Sequence, residues 1–135
     1  MPSASRIRGR FAHGGVLLVP IRVQRQDVEF LVDTGSAYTA LSGDLAALLD
    51  IESDPSRTVA IAPAHGAIIR VPLITITELS IGGFRLTNVG AVVLELPRQL
   101  RFDGLFGMNV LRQFRMTIEI DTQTLVLRPM RSPSS

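Results

Sequence analysis

The residues best equipped for chemistry are Asp33, Thr34, Gly35 and Ser36, which follow directly on the apolar run Phe30-Leu31-Val32. A carboxylate at the end of such a run is expensive unless it is paired or hydrogen-bonded. In its simplest role Asp33 closes a strand and accepts backbone N–H bonds within a turn. A second apolar-apolar-glycine cluster, Leu105-Phe106-Gly107, lies far along the chain and leads into a helical stretch. Two such motifs, separated by strand–turn–strand sequence, ask for more than a turn. His13 and His65 stand alone and cysteine is absent. No H-x-x-x-H spacing or Cys cluster exists, so neither a metal nor a cofactor is expected.

The elements that must position these residues are mostly strands. The runs 16–23 and 28–33 are β-branched or apolar and read as a hairpin over a polar connector. Residues 39–42 are a short strand. Residues 43–51 switch to a helical pattern, with Leu45, Leu48 and Leu49 on one face and Asp44 in the first turn. Strands at 58–63 and 67–76 bracket the turn Pro63-Ala64-His65-Gly66. A hairpin over 78–89 folds at Gly82-Gly83, and 89–96 is a buried strand. Residues 104–114 turn helical after their second glycine, and 116–128 close the chain as a hairpin. Many short strands with one or two short helices predict an all-β, closed barrel-like domain.

Composition narrows the function classes. The chain has 135 residues, enough for one domain with a real core. Its apolar fraction of 46% excludes a disordered or fibrous chain, and aromatics of only 5% mean a Val/Leu/Ile core. All 14 basic residues are arginine, which lifts the sequence pI to 10.4 while the net charge is only +2. The arginines are dispersed and aromatics scarce, so nucleic-acid binding is not expected. No run reaches the ~18 apolar residues of a membrane span. The lack of cysteine suits a reducing compartment. A cytoplasmic protein is the expectation, with a soluble domain of a membrane-tethered protein as the other option. Residues 1–13 read as a flexible basic tail, 14–129 as the folded domain and 130–135 as a second tail.

Taken together, Phe30 to Ser42, the stretch 61–71 and residues 103–114 resemble the retropepsin-like aspartic proteases, single-domain relatives of pepsin. The resemblance spans roughly residues 15 to 128. "GLFGMNVL" and the closing hairpin suit the bacterial branch better than the viral one. It implies a flap hairpin carrying Ala64, His65 and Gly66 over an active site built on Asp33. It implies that Thr34 reaches the partner's backbone, that Gly35 aims its N–H at the carboxylate, and that Leu105, Phe106 and Gly107 pack beside the catalytic loop. The Ser36 hydroxyl, where viral enzymes often have alanine, is expected to donate to Asp33. The viral pairing of an acid with an arginine near the catalytic loop is lost, because Ala37 and Met108 occupy those places.

Such enzymes need two carboxylates that share a proton and hold a water. This chain carries one D-T-G. The expected function is therefore a homodimeric aspartic endopeptidase with an Asp33 from each subunit, acting on peptides or proteins without metal or cofactor. The other reading is a dimeric peptide- or protein-binding module on the same fold that does not cleave.

Overall fold

The computed structural model describes residues 3–12, 14–62, 66–96, 99 and 101–130. Eleven strands and two short helices follow one another along these residues. They are β1 (Ser5–Arg8), β2 (Arg10–Ala12), β3 (Val16–Val23), β4 (Gln26–Val32), β5 (Thr39–Ser42) and α1 (Gly43–Leu48). Then come β6 (Thr58–Ile61), β7 (Ile69–Ile81), β8 (Phe84–Leu94), β9 (Gly104–Phe106), α2 (Met108–Leu111), β10 (Phe114–Glu119) and β11 (Thr124–Pro129). The all-β class expected from the short strand runs is what the chain forms.

Eight strands make one sheet in the order β2-β3-β4-β9-β5-β8-β7-β6. A further pairing of Arg22 with Ser80 and Val23 with Leu79 ties β3 to β7. Strands β3, β4, β9, β5, β8 and β7 thus form a ring of paired neighbours, which protects most of their edges. The remaining strands form a three-stranded sheet, β1-β11-β10.

Alternation of side chains sets the core. In β3, Leu17, Leu18, Val19, Ile21 and Val23 are buried while Pro20 and Arg22 face out. With so few aromatics, each buried ring pair counts. Phe30 and Phe106 meet at 5.1 Å between centroids, and Phe84 packs edge-on against Phe114 at 4.9 Å. Burying a side chain of this size contributes roughly 1.5–3 kcal/mol.

Four details differ from the sequence reading. Residues 5–12, assigned to a tail, contain β1 and β2; β1 pairs with β11 from Ser5–Leu127 to Arg8–Thr124. Only Ile7 of β1 is buried, so the alternation is too short to stand out from its arginines. The closing hairpin is present as β10–β11 but is not self-contained, since β1 is its third strand. The strands read separately on each side of Thr77 and of Val89 are continuous, giving β7 and β8 their length. Helix α1 is shorter than 43–51. It is capped by Ser42, whose hydroxyl accepts from the Leu45 N–H at 3.0 Å. It ends where Asp50 adopts a φ of 53°. Over so few turns only Leu45 and Ala46 are buried, and Leu48, placed on the apolar face by its spacing, is 64% exposed.

Among the described residues no helix is long and apolar enough to cross a membrane.

Candidate active site

The loop carrying Asp33 is held by an unusual strand arrangement. Strand β9 runs parallel to β4, pairing Phe30 with Gly104, Leu31 with Leu105 and Val32 with Phe106. Its other edge pairs antiparallel with β5 through Ala40–Leu105 and Leu41–Gly104. Residues 33–38 connect β4 to β5 and therefore arch over the end of the strand inserted between them. At three residues, β9 is too short to show a period, and the sequence alone reads it only as the lead-in to a helix.

Backbone bonds fasten the arch. The Asp33 N–H donates to the Phe106 carbonyl at 3.1 Å. The Met108 and Asn109 N–H groups, at the start of α2, donate to the carbonyls of Ser36 at 2.7 Å and Ala37 at 3.1 Å. Gly107 has a φ of −95°, which any residue adopts. What it requires is space, since a Cβ there would fall on the Tyr38 carbonyl and the Thr39 nitrogen.

Within the arch Asp33 is half-buried, Thr34 and Gly35 are exposed, and Ser36 is half-buried. The Gly35 N–H donates to Asp33 Oδ1 at 3.0 Å, as expected of a glycine beside a carboxylate. The expectation for Ser36 does not hold. Its hydroxyl donates to the Tyr38 carbonyl at 2.8 Å, so it braces the loop and does not touch the carboxylate. The turn geometry explains this, because the Ser36 N–H already points back to the Asp33 carbonyl at 3.3 Å. Its side chain is left facing forward. Thr34 makes no side-chain hydrogen bond among the described residues.

Phe106 is fully buried, and Leu105 is half-buried on the opposite face. Leu105 packs with Tyr38, Val59, Ile61, Leu73 and Leu94 against a small second core of Ala40, Val71 and Val92. Val59, Ile61, Val71 and Leu73 of this cluster come from the β6–β7 hairpin, whose last pair is Ile61–Ile69. The hairpin is the flap candidate. Gly66 is exposed with a φ of 122°, and Ile68 beside it is 71% exposed. Ala64 and His65 lie outside the described residues. Ala37 and Met108 are both exposed and carry no charge, so the loop has no acid–arginine pair at these positions.

Three residues the sequence reading passed over belong to this neighbourhood. Thr39 is completely buried, and its N–H and hydroxyl both donate to Asn109 Oδ1, at 2.8 and 2.9 Å. Asp103 accepts from the Glu29 N–H at 3.1 Å and its carbonyl accepts from the Ser42 N–H at 3.0 Å, fixing the entry of β9. The signal for Thr39 was a polar residue directly ahead of the apolar pair Ala40-Leu41. Asn109, at the second position of a short helix, gave none.

Residues 19–113 match the family model described as "gag-polyprotein putative aspartyl protease". The chain belongs to this family. The retropepsin-like assignment made from the motifs is thereby established, and the fold agrees. A retropepsin-like aspartic protease from Rickettsia conorii superposes with a TM-score of 0.66 at 22% identity, covering 93% of this chain and 91% of that one. The retroviral protease-like domain of Ddi1 from Leishmania major gives a TM-score of 0.54 at 16% identity, over 89% of this chain and 98% of the other. At these identities the likeness is one of fold. No curated protein sequence matches the chain.

Proposed function

We propose that this retropepsin-like chain is one half of an aspartic endopeptidase, completed by a second copy. The observation that carries the reading is a single Asp33, half-buried at the start of a loop whose next two residues, Thr34 and Gly35, are exposed. A loop fastened on its inner side to residues 106–109 and open on its outer side is suited to meet its symmetry mate. The family membership supports the chemistry, and the one motif per chain supports the stoichiometry.

In the assembled site two Asp33 carboxylates share one proton, because two like charges at hydrogen-bond separation do not both ionise. The ionised partner takes a proton from the water held between them as that water's oxygen attacks the peptide carbonyl carbon. The protonated partner gives its proton to the carbonyl oxygen, forming a gem-diol. Collapse of the diol returns a proton through the dyad to the amide nitrogen and breaks the C–N bond. The Gly35 N–H holds its own Asp33 carboxylate in place. Thr34 reaches the partner's loop and keeps the two carboxylates in register. The β6–β7 hairpin serves as the flap and closes over an extended peptide. The apolar wall formed by Val59, Ile61, Leu73, Leu94 and Leu105 favours apolar side chains on either side of the cleaved bond.

The test compares wild type with Asp33→Asn on a library of extended peptides, with oligomeric state measured in parallel. The expected outcome is cleavage by wild type and a loss of at least about a thousandfold in the variant, with the dimer retained. Equal cleavage by both proteins would overturn the protease reading. A dimer that binds peptides and leaves them intact would establish the binding-module alternative instead.

A further inference from the structure

Behind the catalytic arch lies a closed set of hydrogen bonds centred on one amide. Asn109 Oδ1 accepts from the Thr39 N–H at 2.8 Å and from the Thr39 hydroxyl at 2.9 Å. The Thr39 hydroxyl oxygen accepts from the Gly107 N–H at 3.1 Å. Asn109 Nδ2 donates to the Gly90 carbonyl on β8 at 2.7 Å. Its own backbone N–H donates to the Ala37 carbonyl within the arch. Thr39 is completely buried, so its own N–H or hydroxyl left unpaired would bear its full desolvation cost.

The placement of these bonds separates them from ordinary core satisfaction. Thr39 is the residue at which the arch re-enters β5, Gly107 is the residue at which β9 leaves toward α2, and Gly90 belongs to the strand on the far side of β5. One side chain thus ties the exit of the loop, the segment beneath it and the wall of the barrel. On the Asp33 side, the contacts among the described residues are the Asp33 N–H bond to the Phe106 carbonyl and the turn within the loop itself. We infer that Asn109 is a positioning residue for the reaction: through Thr39 and Gly107 it fixes where the 33–38 loop presents Asp33, without touching substrate. This rests on the proposed protease reading for its catalytic consequence, though not for the loop order itself.

Chemistry distinguishes the two halves of the amide. Asn109→Asp keeps an acceptor for both Thr39 donors but sets a carboxylate oxygen against the Gly90 carbonyl. Protonation of that carboxylate would supply an O–H to the same carbonyl and restore the bond. Asn109→Ala loses all three side-chain bonds and keeps only the backbone N–H bond to Ala37. Thr39→Val, nearly isosteric, deletes the hydroxyl that bridges Asn109 and Gly107.

The experiment measures two things on wild type and these three variants. One is kcat and KM across pH, normalised to active sites titrated with a statine-containing peptide. The other is amide hydrogen exchange at residues 33–39. Asn109→Ala and Thr39→Val are expected to lower kcat about tenfold or more with KM little changed, and to speed exchange in the loop. Asn109→Asp is expected to fall no more than about threefold, with its ratio to wild type rising as pH falls. Unchanged exchange and unchanged kcat per titrated site in both Asn109→Ala and Thr39→Val would overturn the inference. So would an Asn109→Asp profile parallel to wild type at a level as low as that of Asn109→Ala. If wild type cleaves nothing while the exchange pattern appears, the loop-fixing role stands and the protease reading falls. Should Asn109→Ala fail to fold, Thr39→Val and Asn109→Asp carry the same comparison.

Discussion

Asp33 follows three apolar residues, and its surroundings explain how a carboxylate is tolerated there. It sits past the end of β4, half-buried, and accepts the Gly35 N–H at 3.0 Å. Its neighbours are held by groups that cannot be varied freely. A methyl on Gly107 would strike the Tyr38 carbonyl, a backbone atom that has nowhere to go. Gly107→Ala is expected to cost about 1–3 kcal/mol of stability, as overpacking does, measurable by urea unfolding. Ser36 makes the opposite case. Its hydroxyl bonds to Tyr38 and not to the carboxylate. Ser36→Ala is therefore expected to lose roughly 0.5–1.5 kcal/mol of stability while the pH optimum of cleavage stays where it is. A shifted optimum would mean that the hydroxyl reaches Asp33 in the working enzyme.

How much of this was legible depended on the length of the element. The hairpin of β3 and β4, the Gly82-Gly83 turn and the β10–β11 pair are long runs bounded by turn residues, and their types and positions could be read directly. Strands β1, β2 and β9 are three or four residues long. Their structure comes from partners distant in sequence, and no local pattern encodes that. The same holds at the site. Asp33, Gly35 and Gly107 could be read from motif and spacing, whereas the Thr39–Asn109 bonds join residues brought together only by the insertion of β9 between β4 and β5. Strand β1 also brings an electrostatic element with it. Arg6 forms an ion pair with Glu119 at the end of β10, and the hydrogen bond from Arg6, reinforced by its charge, holds the Glu119 carboxyl below its ordinary range. A depressed carboxylate stabilises the fold above the unfolded-state pKa of about 4.3. That contribution is lost as pH falls through the lower folded value. Glu119→Gln is expected to flatten the acid side of the Tm-against-pH curve. The change should be small, because the Arg6 side chain is 58% exposed and water also reaches Glu119. An acid limb identical to wild type would remove the pair from any role in holding β1.

At the scale of the molecule, the ring of paired strands carries the 33–38 arch between β4 and β5 and extends into the β6–β7 hairpin. The three-stranded sheet is completed within one chain, so β1 and β11 are already paired before any second copy is present. The proposed enzyme then needs its partner for one reason above all, the second Asp33. The most direct measurement mixes the subunits. Wild-type protein is held at fixed concentration, allowed to exchange with increasing Asp33→Asn protein, and assayed for cleavage per wild-type chain. With random pairing, only dimers of two wild-type subunits carry the full dyad, and activity per wild-type chain should fall to about half at equal amounts of the two. Activity per wild-type chain that stays constant at every mixing ratio, with exchange verified, would contradict a site shared between two chains.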